Sequence, residues 1–278
     1  MDKYTSIIDC QTVADHIGND HLIIIDTRFN LKDTAWGRDA YANGHIPGAL
    51  YAHLDHDLSS EIISGVTGRH PWPEVEQVRA LFASWGVAED SQIVVYDQSH
   101  GGIAARVWAM ARYVGIEAVS VLDGGWKAWQ NLGLPESTEV QTPKESDLRL
   151  KRSLLHIIDV DELKSVSQLI DARASERYQG LEEPIDPIAG HIPSAINFPF
   201  LDNLTEAHLW KSKDEIKSRF DSLTSSDGVG LYCGSGVTAC HNLLAFEYAE
   251  IDVSAKLYPG SWSHYITDAS REVRIGEA

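Results

Sequence analysis

The chain carries one pattern twice, and that duplication limits its fold more than any other feature. Ile7-Ile8-Asp9 leads through a polar helical stretch to the apolar run Leu22-Ile23-Ile24-Ile25, then Asp26-Thr27-Arg28. Ile157-Ile158-Asp159 leads in the same way to Leu169-Ile170, then Asp171-Ala172-Arg173. Gly44-His45-Ile46-Pro47-Gly48-Ala49 returns as Gly190-His191-Ile192-Pro193-Ser194-Ala195. Ile93 to Asp97 corresponds to Val229 to Cys233, and Asp123-Gly124-Gly125-Trp126 to Pro259-Gly260-Ser261-Trp262, both at an offset of 136 residues. The earlier pairs lie about 145 apart, so the second copy has lost residues in between. Within each copy short apolar runs alternate with amphipathic stretches, with helices predicted over Val75 to Trp85, Gly102 to Val114 and Lys213 to Phe220. That alternation predicts βαβ units and an α/β class of two tandem domains, each a mainly parallel sheet flanked by helices. The polar, aperiodic segment from Leu134 to Asp147 reads as a linker. The expected domains are 1–134 and 151–278, joined by 135–150. At 278 residues, a prior of about 150 residues per domain also favours two.

The two copies are chemically unequal. In the second, the apolar run Val229 to Tyr232 ends on Cys233, and Gly234-Ser235-Gly236 follows before a helical pattern begins at Val237. Glycine permits a tight turn whose N–H groups converge on one atom. The positive end of the following helix faces the same spot. A thiol placed there ionises more easily than a free one, so Cys233 is the expected nucleophile. Cys10 and Cys240 have no such setting and read as small buried apolar groups. The first copy has Asp97 at the corresponding place, followed by Gln98-Ser99-His100-Gly101-Gly102. An aspartate is no sulfur nucleophile, so the first domain is expected to be non-catalytic.

Composition narrows the partners. A net charge of −18 argues against nucleic acid and against anionic membranes. Three cysteines form no disulfide framework, which points to a reducing compartment. The opening residues lack a basic-then-apolar signal, and no apolar run approaches the length of a membrane span. A soluble, cytoplasmic protein without metal or cofactor is expected.

Taken together and in order, these motifs resemble the two-domain rhodanese family of sulfurtransferases, over nearly the whole chain. The resemblance implies two rhodanese-like domains, a cysteine only in the C-terminal one, and an active site at their interface. Thiosulfate-specific members place two basic residues after the cysteine, where this chain has Gly234-Ser235. Its Cys-Gly-Ser-Gly-Val-Thr loop looks like that of the 3-mercaptopyruvate sulfurtransferases, and a neutral loop with a hydroxyl suits a 2-oxo acid thiol better than a dianion. Phosphatases of this fold need a longer loop with an arginine, whereas Ala239 already stands six residues past Cys233.

By resemblance, Cys233 takes sulfur from 3-mercaptopyruvate, releases pyruvate, and passes the outer sulfur of its persulfide to an acceptor. That acceptor would be cyanide, a low-molecular-weight thiol or a thioredoxin-like protein. Amides of Gly234, Gly236, Val237 and Thr238 would line the sulfur site. A serine–histidine–aspartate relay maps onto Ser235, His45 and Asp39. His191 stands in the same motif as His45, which argues equally for a structural role. The donor carboxylate calls for arginine, and Arg177 matches the family position. A second arginine before the Gly-His-Ile-Pro motif is missing, replaced by Glu182-Glu183-Pro184-Ile185-Asp186-Pro187; Arg69, in Gly68-Arg69-His70-Pro71, could substitute. Arg106 reads as a structural ion-pair partner. Thiosulfate as donor, or a persulfide carrier with little small-molecule turnover, are the alternative readings.

Overall fold

Strands that are buried on both faces must be apolar throughout, and this chain has such runs in each half. The computed structural model describes residues 3–223 and 228–277. In the first half the elements are β1 (Ile7–Ile8), α1 (Cys10–Ala14), β2 (Leu22–Asp26), α2 (Trp36–Asn43), β3 (Leu50–Tyr51), α3 (Val75–Ser84), β4 (Gln92–Tyr96), α4 (Ala104–Tyr113), β5 (Val119–Leu122) and α5 (Gly125–Asn131). The second half adds β6 (Gln168–Asp171), α6 (Ser175–Tyr178), β7 (Ala195–Asn197), α7 (Lys213–Arg219), β8 (Val229–Tyr232), α8 (Ala239–Tyr248), β9 (Ala255–Leu257) and α9 (Ser261–Tyr265). The three helices expected from periodicity appear as α3, α4 and α7.

Both sheets are parallel throughout, with strand orders β1-β5-β4-β2-β3 and β7-β6-β8-β9. A single parallel bridge from Ile157 to Leu257 stands where β1 stands in the first sheet, so the second order is the first with its edge strand reduced to one residue pair. Each sheet has its own aromatic core, around Tyr96, Trp126 and Trp129 in one and Tyr232, Tyr258 and Trp262 in the other. No helix among the described residues is long and apolar enough to cross a membrane.

The recurring motifs tie loops to these cores. Asp26 holds the Arg28 guanidinium, which also donates to the Gly44 carbonyl and lies 4.6 Å from the Trp126 ring. Asp171, Arg173, Gly190 and Trp262 repeat the arrangement, with 4.8 Å to the ring. His45 stacks on Tyr41 and His191 on Tyr178, each with ring centroids 3.9 Å apart. Arg106 is fully buried in the first unit and donates from Nε to the Leu58 carbonyl.

The compact units do not follow the two halves marked by the repeat residue by residue, because two short segments change sides. The first gathers Met1–Leu58, Pro73–Leu154 and Glu206–Trp210; the second gathers Ser59–Trp72, Leu155–Thr205 and Lys211–Ala278. Residues 135–150 are not a free span either. Ser137 exchanges two backbone hydrogen bonds with His45, and Ser146 donates to the carbonyls of Ala83 and Val87, so the segment runs along the first unit. The transfer of Ser59–Trp72 matters most, because it carries Arg69 and His70 into the second unit.

Candidate active site

In an open parallel sheet, chemistry gathers beyond the carboxyl ends of the strands. Cys233 is the first residue after β8, a central strand whose four residues are all buried. The turn that follows can be made only with glycine at Gly236, where φ is +74° and a Cβ would lie 2.2 Å from the Pro259 carbonyl oxygen. The Pro259–Ser263 segment holds the turn from one side: Trp262 N–H donates to the Cys233 carbonyl (3.0 Å) and Ser263 N–H to that of Gly234 (2.9 Å). Ser261 adopts the left-handed conformation (φ +55°) that its counterpart Gly125 also adopts. Its hydroxyl accepts the Cys233 N–H at 3.1 Å and lies 4.0 Å from Sγ.

Cys233 is 1% exposed. Burial alone would push its thiol up. The Thr238 hydroxyl and the backbone N–H groups of Ser235 and Ala239 outweigh that, and the pKa falls below the ordinary thiol value. The first unit demonstrates what such a turn does. There Asp97 accepts N–H bonds from Ser99 (3.0 Å), Gly101 (2.9 Å) and Ile103 (3.1 Å), and Trp126 N–H donates to the Asp97 carbonyl as Trp262 does to Cys233. One turn, used twice, gathers donors on one group each time: the Asp97 side chain in the first unit and the Cys233 sulfur in the second.

Ser59–Trp72 lies against this turn like a strap. Gly68 packs so closely on the Gly260–His264 backbone that a Cβ there would lie 2.8 Å from the Gly260 carbonyl oxygen. Arg69 N–H donates to Ser263 Oγ at 3.1 Å. His70 Nδ1 is 2.7 Å from Ser235 Oγ, with both residues buried. The Arg69 guanidinium reaches Gly234, its Nη2 lying 3.0 Å from where a Cβ would be; Arg177 Nη1 comes to 3.4 Å of the same point. A side chain at 234 would push both away. Burial, and then the neighbouring Arg177 charge, pull the Arg69 pKa below its ordinary value, while Cys233 opposes them.

Two carboxylates hold the arginines. Glu183 accepts from Arg177 Nε (3.1 Å) and Nη2 (2.8 Å), from Arg173, and from the backbone N–H groups of Ile185 and Asp186. Asp186 accepts from Arg177 Nη2 at 3.1 Å and from Arg69 Nη1.

A family model for the rhodanese-like domain matches residues 9–132 and again 150–268. The chain belongs to the rhodanese family. A probable 3-mercaptopyruvate sulfurtransferase of Pseudomonas aeruginosa is 39% identical to it over 280 residues, covering 98% of either chain. A putative thiosulfate sulfurtransferase, SseB, of Mycobacterium tuberculosis is 34% identical over 267 residues, covering 93% of either. Among solved structures, the 3-mercaptopyruvate sulfurtransferase from Leishmania major matches with a TM-score of 0.83 and 28% identity, covering 94% of this chain and 74% of that one.

Within this rhodanese chain the expected site residues divide into two groups. Cys233, Gly234, Ser235, Gly236, Val237 and Thr238 form the turn, and Arg177 and Arg69 meet beside it. His45 and Asp39 do not join them. The His45 ring is fully buried in the first unit, with Nδ1 2.7 Å from the Tyr41 carbonyl oxygen and Nε2 3.1 Å from that of Glu139. His191 meets the Tyr178 carbonyl in the same way at 2.8 Å. The Gly-His-Ile-Pro histidine is thus a turn-tying residue in both copies. Asp39 is exposed in the first turn of α2, where a carboxylate favours the helix N-terminus. The histidine beside Ser235 is His70, directly after Arg69. Its only sequence signal was that adjacency.

Proposed function

We propose that this chain moves a sulfane sulfur from 3-mercaptopyruvate, through a persulfide on Cys233, to a thiol or cyanide acceptor. The observation that carries the reading is the Cys233 sulfur in its cradle of N–H groups beside two guanidinium groups. Arg177 and Arg69 bind the donor carboxylate, a contact that guanidinium makes well when partly shielded from water. The Cys233 thiolate attacks the donor sulfur. Its Sγ–S bond forms as the donor C–S bond breaks, and the electron pair passes to carbon as the enolate of pyruvate. Ser235 and His70, hydrogen-bonded to one another, form the route by which a proton reaches that enolate. The persulfide keeps the amides of the turn as its donors. In the second half-reaction the acceptor thiolate, from a low-molecular-weight thiol or a thioredoxin-like protein, attacks the outer sulfur and returns Cys233 as thiolate. A cytoplasmic setting suits this chemistry, and Cys10, Cys233 and Cys240 are all free thiols.

Thiosulfate is the second reading, favoured by the pair of arginines, which could also take a sulfonate-like anion. Steady-state kcat/KM with each donor, cyanide as acceptor, separates the two. A preference for 3-mercaptopyruvate and a persulfide on the Cys233 peptide are expected. A preference for thiosulfate, or an adduct on Cys240, would overturn the proposal.

A further inference from the structure

Two guanidinium groups side by side make a strongly anion-attracting surface unless something behind them removes the charge. Here the removal is nearly complete. Arg69, Arg173 and Arg177 are matched by Asp171, Glu183 and Asp186, and the carboxyl side chains of the last two are only 4% and 3% exposed. The three carboxylates are not equivalent. Asp171 belongs to the motif that ties Arg173 into the core. Glu183 is anchored by two backbone N–H groups and by Arg173 as well as by Arg177. Asp186 instead divides its oxygens between the two arginines beside Gly234: Oδ1 accepts from Arg69 Nη1 and Oδ2 from Arg177 Nη2. The nitrogens nearest the position of a Cβ at Gly234 are Arg69 Nη2, at 3.0 Å, and both Arg177 Nη1 and Nη2, at 3.4 and 3.5 Å. Asp186 therefore takes up one nitrogen of each guanidinium, leaves Arg69 Nη2 free to face the cysteine loop, and holds Arg177 with its terminal nitrogens beside the same loop.

We infer that Asp186 is a specificity-determining positioning residue: by joining Arg69 to Arg177 and cancelling one of their charges, it tunes the site to a singly charged donor and against a dianion. This rests on the sulfurtransferase reading above. With Asp186 charged, the six groups sum to zero, and each further negative charge on a donor meets no surplus positive charge. With Asp186 neutral the cluster holds one surplus positive charge, and the doubly charged donor gains more from it than the singly charged one. The same surplus would weaken the join between Arg69 and Arg177, so rates with both donors can fall. The ratio between donors is what reports charge.

The test compares Asp186→Asn and Asp186→Glu with the wild-type protein in two assays. In the first, kcat/KM is measured with 3-mercaptopyruvate and with thiosulfate, cyanide being the acceptor. Asp186→Asn is expected to raise the thiosulfate-to-mercaptopyruvate ratio about tenfold, equivalent to ~1.4 kcal/mol. Asp186→Glu, which keeps the charge, is expected to stay near the wild-type ratio. In the second assay Cys233 is alkylated with iodoacetate and with iodoacetamide, which differ by one charge and need no turnover. Asp186→Asn should raise the iodoacetate-to-iodoacetamide rate ratio severalfold, and Asp186→Glu should not. An unchanged ratio in either assay for Asp186→Asn, including an equal loss with both donors, would overturn the inference. Failure of the wild-type protein to turn over either donor would instead overturn the functional reading, and the alkylation ratio would still decide the role of Asp186.

Discussion

Cys233 and Cys10 are both buried thiols, yet their surroundings drive them in opposite directions. Burial, reinforced by Asp123 and Asp9, pushes Cys10 up to about 12. Cys233 is buried more deeply and still lies below the ordinary value, because three donors converge on it. A lowered pKa means more thiolate than an equally buried thiol without those donors would carry, so iodoacetamide should label Cys233 with a midpoint well below that of Cys10 and leave Cys10 untouched at neutral pH. Thr238→Val removes the hydroxyl donor and should move that midpoint upward; an unmoved midpoint would mean that the amides alone stabilise the anion. The arginines lend themselves to the same arithmetic. A charge-assisted contact to a carboxylate is worth about 1.5–3 kcal/mol. Arg177→Ala should then lower kcat/KM for 3-mercaptopyruvate by about tenfold to a hundredfold, and Arg69→Ala by a comparable factor. If only one of the two matters, the carboxylate is held by a single guanidinium. For the proton route, His70→Asn should lower kcat with 3-mercaptopyruvate, while His45→Asn should lower stability and leave the pH profile of kcat in place.

At the level of elements, the site is a turn clasped from two sides. Gly236 is the position least able to change. Gly236→Ala meets both a left-handed φ, which costs about 1–2 kcal/mol for an L-residue, and the Pro259 carbonyl at 2.2 Å. Gly18 shares a positive φ but has open space around it, so Gly18→Ala should cost only the conformational part. The difference between their urea midpoints measures the clash. The turn itself was legible in the sequence, because strand, cysteine, glycines and helix are contiguous and each constrains its neighbour. Helices α3, α4 and α7 were legible for the same reason. The strap was not. His70 meets Ser235 across 165 residues of chain, and Arg69 meets Ser263 across 194. No periodicity encodes a pairing at that range. His45 drew attention through a repeated motif, but repetition records what both copies need to fold. The acidic run Glu182 to Asp186 reads as a stretch without the expected arginine, whereas Glu183 and Asp186 within it hold Arg177, and Asp186 also holds Arg69.

At the scale of the whole molecule, the duplicated sequence reads as two consecutive domains, the rhodanese-like model matches two consecutive stretches, and the compact units exchange two short segments between them. A fragment beginning at Lys151 contains the repeat, β6 to β9 and Cys233, but not Ser59–Trp72. It should retain a cysteine that alkylates, now faster because the strap no longer covers the turn, and lose nearly all turnover with the loss of Arg69 and His70. Turnover close to that of the full chain would remove the strap from the mechanism. The exchange also bears on how the protein is made. Synthesis delivers the strap long before Gly234 and Ser263 exist, and it delivers Glu206–Trp210, which the first unit incorporates, only after Leu155–Thr205 of the second. Domains built from contiguous sequence can fold one after the other at the ribosome. Here the first unit takes in a pentapeptide made after the start of the second, and the nucleophile's surroundings include a segment made near the beginning of the message. A nascent chain that stops short of Cys233 therefore carries a strap with no turn to clasp, and the contacts of Arg69 with Ser263 and of His70 with Ser235 can both close only once the chain has passed Ser263.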